Sequence, residues 1–333
     1  GNHSKEGYEL LELLNKISAD LHSGGRYDNL YIDSLSYVWT LKAPVGMKAD
    51  DHVIIRWAPI ARCYGHYLDC PGSDDQINAE YYPELVKWLD IAKHVWIWEY
   101  NINFRSTIGP YANVDVVQHD IKLYKKLGVE GIYMQSNDVH QRTNVEFGDI
   151  RNYIVGRMLQ DPSRDYENEL AFYTYAYYGA SGAKVREYQK YMERQMAFHQ
   201  MRYEERDKIA NCFFYLYDTY ADELDGSDRS HRMPDSEIAG AEECWQQIHT
   251  ISKSSTEAER LRLQKLECSW RLVKSTLKVY EFADPATYRA MNDKLLSDIK
   301  ATGADRYSII GGYLLSQCKY TNQIPDLWID GVR

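Results

Sequence analysis

The chain has 333 residues, 44% of them hydrophobic, a length that suits two domains, or one large barrel with an appendage, and that fills ordinary cores. A net charge of -10 with no run rich in lysine and arginine excludes the clustered basic face that nucleic-acid phosphates require. Its longest apolar runs fall far short of the roughly 20 residues that span a bilayer, and no signal-peptide pattern opens it. Gly1 and the polar stretch after it read as an internal start, which leaves room for an export signal upstream.

Helix and strand signals alternate through the first part of the chain. GYELLELLNKISADL (7–21) carries leucines and Ile17 at helical spacing, whereas NLYIDSLSYVWTL (29–41) and HVIIRWAPI (52–60) are rich in the β-branched and aromatic residues of strands. A helix over about 80–93 packs Tyr81, Leu85, Trp88 and Leu89, and the strand 94–101 follows it directly. This last stretch, HVWIWEYNINF over 94–104, is a continuous apolar and aromatic run, as expected of a strand buried on both faces of a parallel sheet. VDVVQHDIKLYKKLG (114–128) reads as an amphipathic helix closed by Gly128, and VEGIYMQSND (129–138) as a fourth strand with a polar end. Strands separated by helices imply a parallel sheet with right-handed crossovers.

From about residue 144 the strand signals stop. Segments near 145–160, 165–179, 182–203, 205–224, 235–253, 256–282 and 285–302 all read as helical. In the sixth of these, Leu266, Trp270, Val273, Leu277 and Tyr280 form an apolar stripe. Asp161-Pro162 and the polar run GSDRSHRMPDS (226–236) punctuate the series. The expected architecture is therefore α/β then all-α, with a first domain over 1–143 and a helical domain over 144–333. A (β/α)₈ barrel needs eight strands, and four are found before residue 140 on a chain that begins with a helix. The economical reading is half of a TIM-type barrel, strands five to eight, and the rival is a small open four-stranded sheet.

The six cysteines show no metal-site spacing. Cys63 and Cys70, seven apart in one loop, fit either a local disulfide or two thiols, and Cys212, Cys244 and Cys268 fall inside helical patterns as small buried hydrophobes. No phosphate loop, dinucleotide fingerprint, nucleophile elbow or zinc-helix motif occurs, which argues against nucleotide and hydride chemistry.

In parallel α/β folds the C-terminal ends of the strands face the ligand crevice. Glu99, Tyr100, Asn101 and Asn103 occupy that end of the third strand, and Gln135 and Asp138 that of the fourth. Glu99, flanked by Trp98 and Tyr100, is the leading catalytic carboxylate, and its alternative is a structural ion pair with an arginine such as Arg56 or Arg105. Asp138 is the natural second carboxylate, or else a turn former or helix cap. His66 and Asp69, in the loop CYGHYLDC, could bind hydroxyls, transfer protons or brace their loop. Trp39 and Tyr100 are candidates for stacking on a pyranose, and Asn101, Asn103 and Gln135 for hydroxyl recognition. The cluster FYTYAYYG (172–179) reads as packing between the two domains.

Four segments, NLYIDSLSYVWTLKAP, HVIIRWAPIARCYGHYLDC, VWIWEYNINF and KLYKKLGVEGIYMQSND, together with RNYIVGRMLQDPSRDYENELAFYTYAYYGASGAKVREY, resemble an uncharacterised glycoside-hydrolase-like TIM-barrel family over about residues 8–190. That family is a domain of unknown function, distantly similar to α-glucuronidases and β-hexosaminidases. The resemblance implies acid/base hydrolysis of glycosidic bonds at a barrel top, with no cofactor, an oligosaccharide or polysaccharide as partner, and export to the periplasm or cell surface. The competing expectation is a non-catalytic glycan-binding or scaffold protein, or a fragment without the catalytic acid. In similar glycosidases the general acid usually ends strand four, which would precede residue 1, and where the family more often has aspartate this chain has Glu99.

Overall fold

The computed structural model describes residues 3–71, 76–101, 110–135, 146–202, 235–276 and 285–301. Its first part runs α1 (His3–His22), β1 (Ile32–Tyr37), a 3₁₀ turn (Val38–Thr40), β2 (Val53–Ala58), α2 (Gln76–Ile91), β3 (His94–Tyr100), α3 (Val114–Leu127) and β4 (Gly131–Gln135). Six further helices follow: α4 (Gly148–Gln160), α5 (Tyr166–Tyr178), α6 (Gly182–Arg202), α7 (Asp235–Ser252), α8 (Glu257–Thr276) and α9 (Pro285–Ala301). The helix expected over 205–224 lies outside the described residues. No helix among the described residues is long and apolar enough to cross a membrane.

The four strands form one parallel sheet in the order β1-β2-β3-β4, so for the described residues the α/β reading of the first part and the helical reading of the second both hold. Register follows from burial. Val53, Ile55 and Trp57 of β2 and Val95 and Ile97 of β3 point to one face and join Leu11 and Leu14 of α1, Leu85 and Trp88 of α2, and Leu123 and Tyr124 of α3 in a single core. Because side chains alternate along a strand, the intervening residues populate the opposite face. Trp96 there lies against Gly131, where a Cβ atom would come within 2.9 Å of the indole. Trp98 packs on Tyr133 with ring centroids 4.4 Å apart. On this face Leu35 and Tyr37 of β1 and Tyr133 of β4 remain exposed. α3 ends as its sequence implies: Gly128, at φ +87, terminates it, and the Val129 amide reaches back to the Tyr124 carbonyl at 3.0 Å.

By contact density the chain divides into one unit of residues 1–101 and 119–136 and a second of 102–118 and 137–333. In the second, Tyr188 of α6 meets Trp245 of α7 and Trp270 of α8 edge-on, at 5.2 and 6.5 Å between ring centroids. Gly182 opens α6 where a Cβ would stand 2.4 Å from the Thr174 carbonyl oxygen, an approach that only glycine permits. Thr256 and Glu259 form a reciprocal capping box at the start of α8, and Asp161 turns the chain after α4 by accepting the Ser163 amide at 3.0 Å. Tyr173 and Tyr177 of the tyrosine cluster pack on each other, the first against Tyr153 of α4 and the second beneath Arg262 of α8, while Phe172 and Tyr175 are exposed.

Candidate functional site

Glu99 shares strand parity with Val95 and Ile97, so its side chain enters the helix-covered face and is 1% exposed. Arg62, fully buried in the loop after β2, meets it there: Nη2 donates to Glu99 Oε2 at 3.1 Å and to Asp120 Oδ2 at 2.6 Å, and Nη1 donates to the Cys63 carbonyl at 3.0 Å. The Tyr124 hydroxyl also donates to Glu99 Oε2, and the Tyr100 amide donates to Oε1 at 3.0 Å. Asp120 takes the Leu68 amide on its other oxygen at 3.0 Å, and the guanidinium lies over the Tyr64 ring at 4.3 Å. The side chains of Arg62, Tyr64, Glu99, Asp120 and Tyr124, from the loop after β2, β3 and α3, thus form a closed network.

Its electrostatics follow from burial and pairing. Burial alone would lower the Arg62 pKa, but the adjacent Glu99 and Asp120 outweigh that and hold it well above its ordinary value. Burial pushes Asp120 up to about 6, with Glu99 adding to the rise and Arg62 opposing it. Burial first, then Glu99, raises the Tyr124 hydroxyl as well. Neither oxygen of Glu99 is left unbonded. The sequence suggested Arg56 or Arg105 as a structural partner; among the described residues the partner is Arg62, Arg56 pairs with Asp33 on the other face of the sheet, and Arg105 lies outside the described residues.

The loop after β2 is pinned by Asn78, whose amide group bonds the Cys63 backbone at both N–H and C=O, each at 3.0 Å, and donates also to the His66 and Tyr67 carbonyls. His66 directs Nδ1 at the Cys63 sulfur, 3.3 Å away, and Cys63 and Cys70 carry no disulfide. Asp69 is paired with His119 Nε2 at 2.8 Å, and that imidazole stacks on Tyr67 at 3.9 Å. Tyr100 is buried, and burial raises its hydroxyl, with Tyr37 and Glu99 contributing. Asn101 is fully buried with neither side-chain atom hydrogen bonded among the described residues, while its backbone N–H donates to the Gln135 carbonyl at 2.7 Å. Gln135 in turn accepts from the Trp98 indole at 2.9 Å. Asn103 and Asp138 lie outside the described residues.

Trp39 differs from all of these, for it is 69% exposed. It sits in the 3₁₀ turn at the C-terminal end of β1, where Val38 has φ +48, a left-handed conformation that a β-branched residue adopts only under constraint. Cross-bracing supplies the constraint. Ser36 Oγ donates to the Thr40 carbonyl at 2.8 Å, the Tyr37 amide donates to Thr40 Oγ1 at 3.0 Å, and Thr40 Oγ1 donates back to the Tyr37 carbonyl at 3.1 Å.

Sequence reasoning missed Arg62, Asp120 and Tyr124. The available signal was Asp120 in line with Val116, Val117, Ile121 and Tyr124 on the apolar stripe of α3, where a carboxylate needs a buried partner. It also missed Glu146, which precedes α4 in the helical unit. Burial raises this carboxyl to about 8 despite a hydrogen bond from Tyr188 and the nearby charge of Arg151. Among the described residues, its Oε2, Arg151 Nη1 and Asn113 Nδ2 are buried without hydrogen-bond partners.

Residues 2–215 match the family described as a domain of unknown function, DUF4838. No curated protein and no solved structure matches the chain.

Proposed function

The chain belongs to this family of unknown function, and from that premise we propose that it recognises carbohydrate on a glycoside-hydrolase-like scaffold. In this reading β1–β4 are strands five to eight of a (β/α)₈ barrel. All-parallel sheets occur almost only with both faces covered, and the exposed Leu35, Tyr37 and Tyr133 mark a face suited to lining a barrel interior. The ligand is an oligosaccharide or polysaccharide met outside the cytoplasm, and no cofactor takes part.

The observation that carries this proposal is the presentation of Trp39. An exposed indole beside a left-handed valine opposes two ordinary tendencies, apolar burial and backbone relaxation, and three hydrogen bonds maintain it. A flat rigid indole is suited to the C–H face of a pyranose, an amphipathic surface that gains from stacking without full burial. Binding without turnover is favoured over catalysis because both oxygens of Glu99 are committed to Arg62, Tyr124 and the Tyr100 amide.

Affinity electrophoresis against a panel of soluble plant and microbial polysaccharides tests the proposal. Retardation by at least one glycan, weakened about tenfold or more in Trp39→Ala, is the expected result; a panel without any retarding glycan, or an unaffected variant, defeats it. Acid/base hydrolysis with Glu99 and Asp138 as the pair is a second reading, favoured by the place of Glu99 at the C-terminal end of β3. It requires two carboxyl groups roughly 5–9.5 Å apart across the scissile bond. Release of reducing ends that disappears in Glu99→Gln with unchanged folding would establish it in place of binding alone.

A further inference from the structure

The opposite, N-terminal end of the sheet carries a cluster that the carbohydrate reading does not use. His22 closes α1, and Asp50 and His52 lead into β2. One potential ligand atom from each of the three lies within 4.8 Å of the other two. All three side chains are partly exposed, so a cation could reach them from solvent.

Hydrogen bonding prepares two of the three for coordination. His22 Nδ1 faces the Ser18 carbonyl at 2.7 Å, and a carbonyl can only accept, so Nδ1 carries the proton. The lone pair of a neutral His22 then resides on Nε2, which points at a second acceptor, the Leu30 carbonyl, 3.2 Å away. Two acceptors facing each other repel unless a positive charge lies on or between them. Metal-bound histidines recurrently donate their other ring N–H to a backbone carbonyl, which fixes the tautomer and orients the ring. Asp50 is held by one oxygen: Oδ1 takes the Ser18 hydroxyl at 2.7 Å and the His52 amide at 3.0 Å, which orients the carboxylate and leaves Oδ2 available. The His52 ring is the adjustable member. It stacks on His22 at 3.9 Å with 22° between planes, tilts against Tyr31 at 5.5 Å and, among the described residues, has a 3.4 Å contact to Asp50 as its one side-chain hydrogen bond, so bringing a nitrogen into line requires a turn of one half-exposed ring.

We propose that His22, Asp50 and His52 form a binding site for a borderline divalent transition-metal cation of the zinc class, with the Leu30 carbonyl at its edge. Two imidazoles and one carboxylate select such ions over calcium and magnesium, which take all-oxygen shells. The ion would tie the C-terminus of α1 to the entry of β2, joining residues 28 to 30 positions apart in the chain.

Cobalt(II) titration of the chelator-treated full chain tests this, because its visible d–d bands report nitrogen and oxygen ligation while thiolate ligation by a cysteine adds a charge-transfer band. One equivalent is expected to bind without the thiolate band, to be displaced by zinc but not by calcium, and to raise the melting temperature. His22→Ala and His52→Ala should each weaken binding at least tenfold, and His94→Ala, a nearby histidine paired with Glu130, should not. His52→Ala removes a ring with no short hydrogen bond, so an unchanged circular dichroism spectrum is expected to accompany its loss of binding. Failure of the wild type to bind, or undiminished binding in the His22→Ala/His52→Ala double variant, overturns the proposal.

Discussion

Replacing Glu99 by glutamine separates a buried anchor from a reactive group. The change keeps the shape and removes one of the two carboxylates around Arg62, which retains Asp120 at 2.6 Å. One of the two amide positions must now be a donor, facing either the Tyr100 amide on the Oε1 side or the Arg62 and Tyr124 donors on the Oε2 side. Breaking a buried ion pair by removing one partner costs about 3–5 kcal/mol, and a charge-assisted hydrogen bond contributes about 1.5–3 kcal/mol. The lower desolvation of a neutral amide and the surviving Asp120 pair offset part of this, so a loss of about 2–3 kcal/mol is expected. With a urea m-value of about 2 kcal/mol per molar, the midpoint should fall by about 1–1.5 M. Urea unfolding of wild type and variant, followed by tryptophan fluorescence and far-ultraviolet circular dichroism at pH 7, reads it directly. A midpoint unchanged within experimental scatter would refute the reasoning, because it would mean that the carboxylate is not held by the network around it.

The helical unit should lose stability in mild alkali. Burial raises Glu146 to about 8 and Glu193 of α6 to about 7, above their unfolded value of 4.5, so the folded state holds these protons more tightly; the stabilisation is complete below about pH 4.5 and is lost as pH rises through 7 and 8. Thermal melts between pH 5 and 9 should show this fall, and Glu146→Gln, which cannot ionise, should flatten its upper part. Gly182→Ala should cost about 2–3 kcal/mol by overpacking, since the added methyl would stand 2.4 Å from a backbone carbonyl oxygen that cannot rotate away; a calorimetric midpoint equal to that of wild type would contradict the close approach of α5 and α6.

Much of the fold was legible for one reason: long segments carry their period openly. VWIWEY had to be a strand because five apolar or aromatic residues and one acid in six consecutive positions fit no amphipathic helix, and α3 had to be a helix because its apolar residues recur every three or four. The position of Glu99 at the end of its strand was legible as well. Its side was not, because strand faces are assigned only by what packs on them, and here the helices cover the face that holds Val95 and Ile97. The partner Arg62 was hidden further, 37 positions away in a loop without periodicity. Trp39 could be singled out by residue type. Its presentation depends on a positive φ at Val38, which no propensity for valine anticipates.

The order β1-β2-β3-β4 also has a colloidal consequence. Among the described residues β1 pairs only with β2 and β4 only with β3, so each outer strand offers a row of backbone donors and acceptors beside exposed Leu35, Tyr37 or Tyr133. Outside a closed barrel, edges of this kind template association with other chains, and the force keeping molecules apart is then the net charge of -10. Added salt shortens the reach of that repulsion to about 3 Å at 1 M. Solubility of this chain should therefore depend on ionic strength more steeply than is usual for a fold with closed edges, and preparations are best kept dilute in low salt.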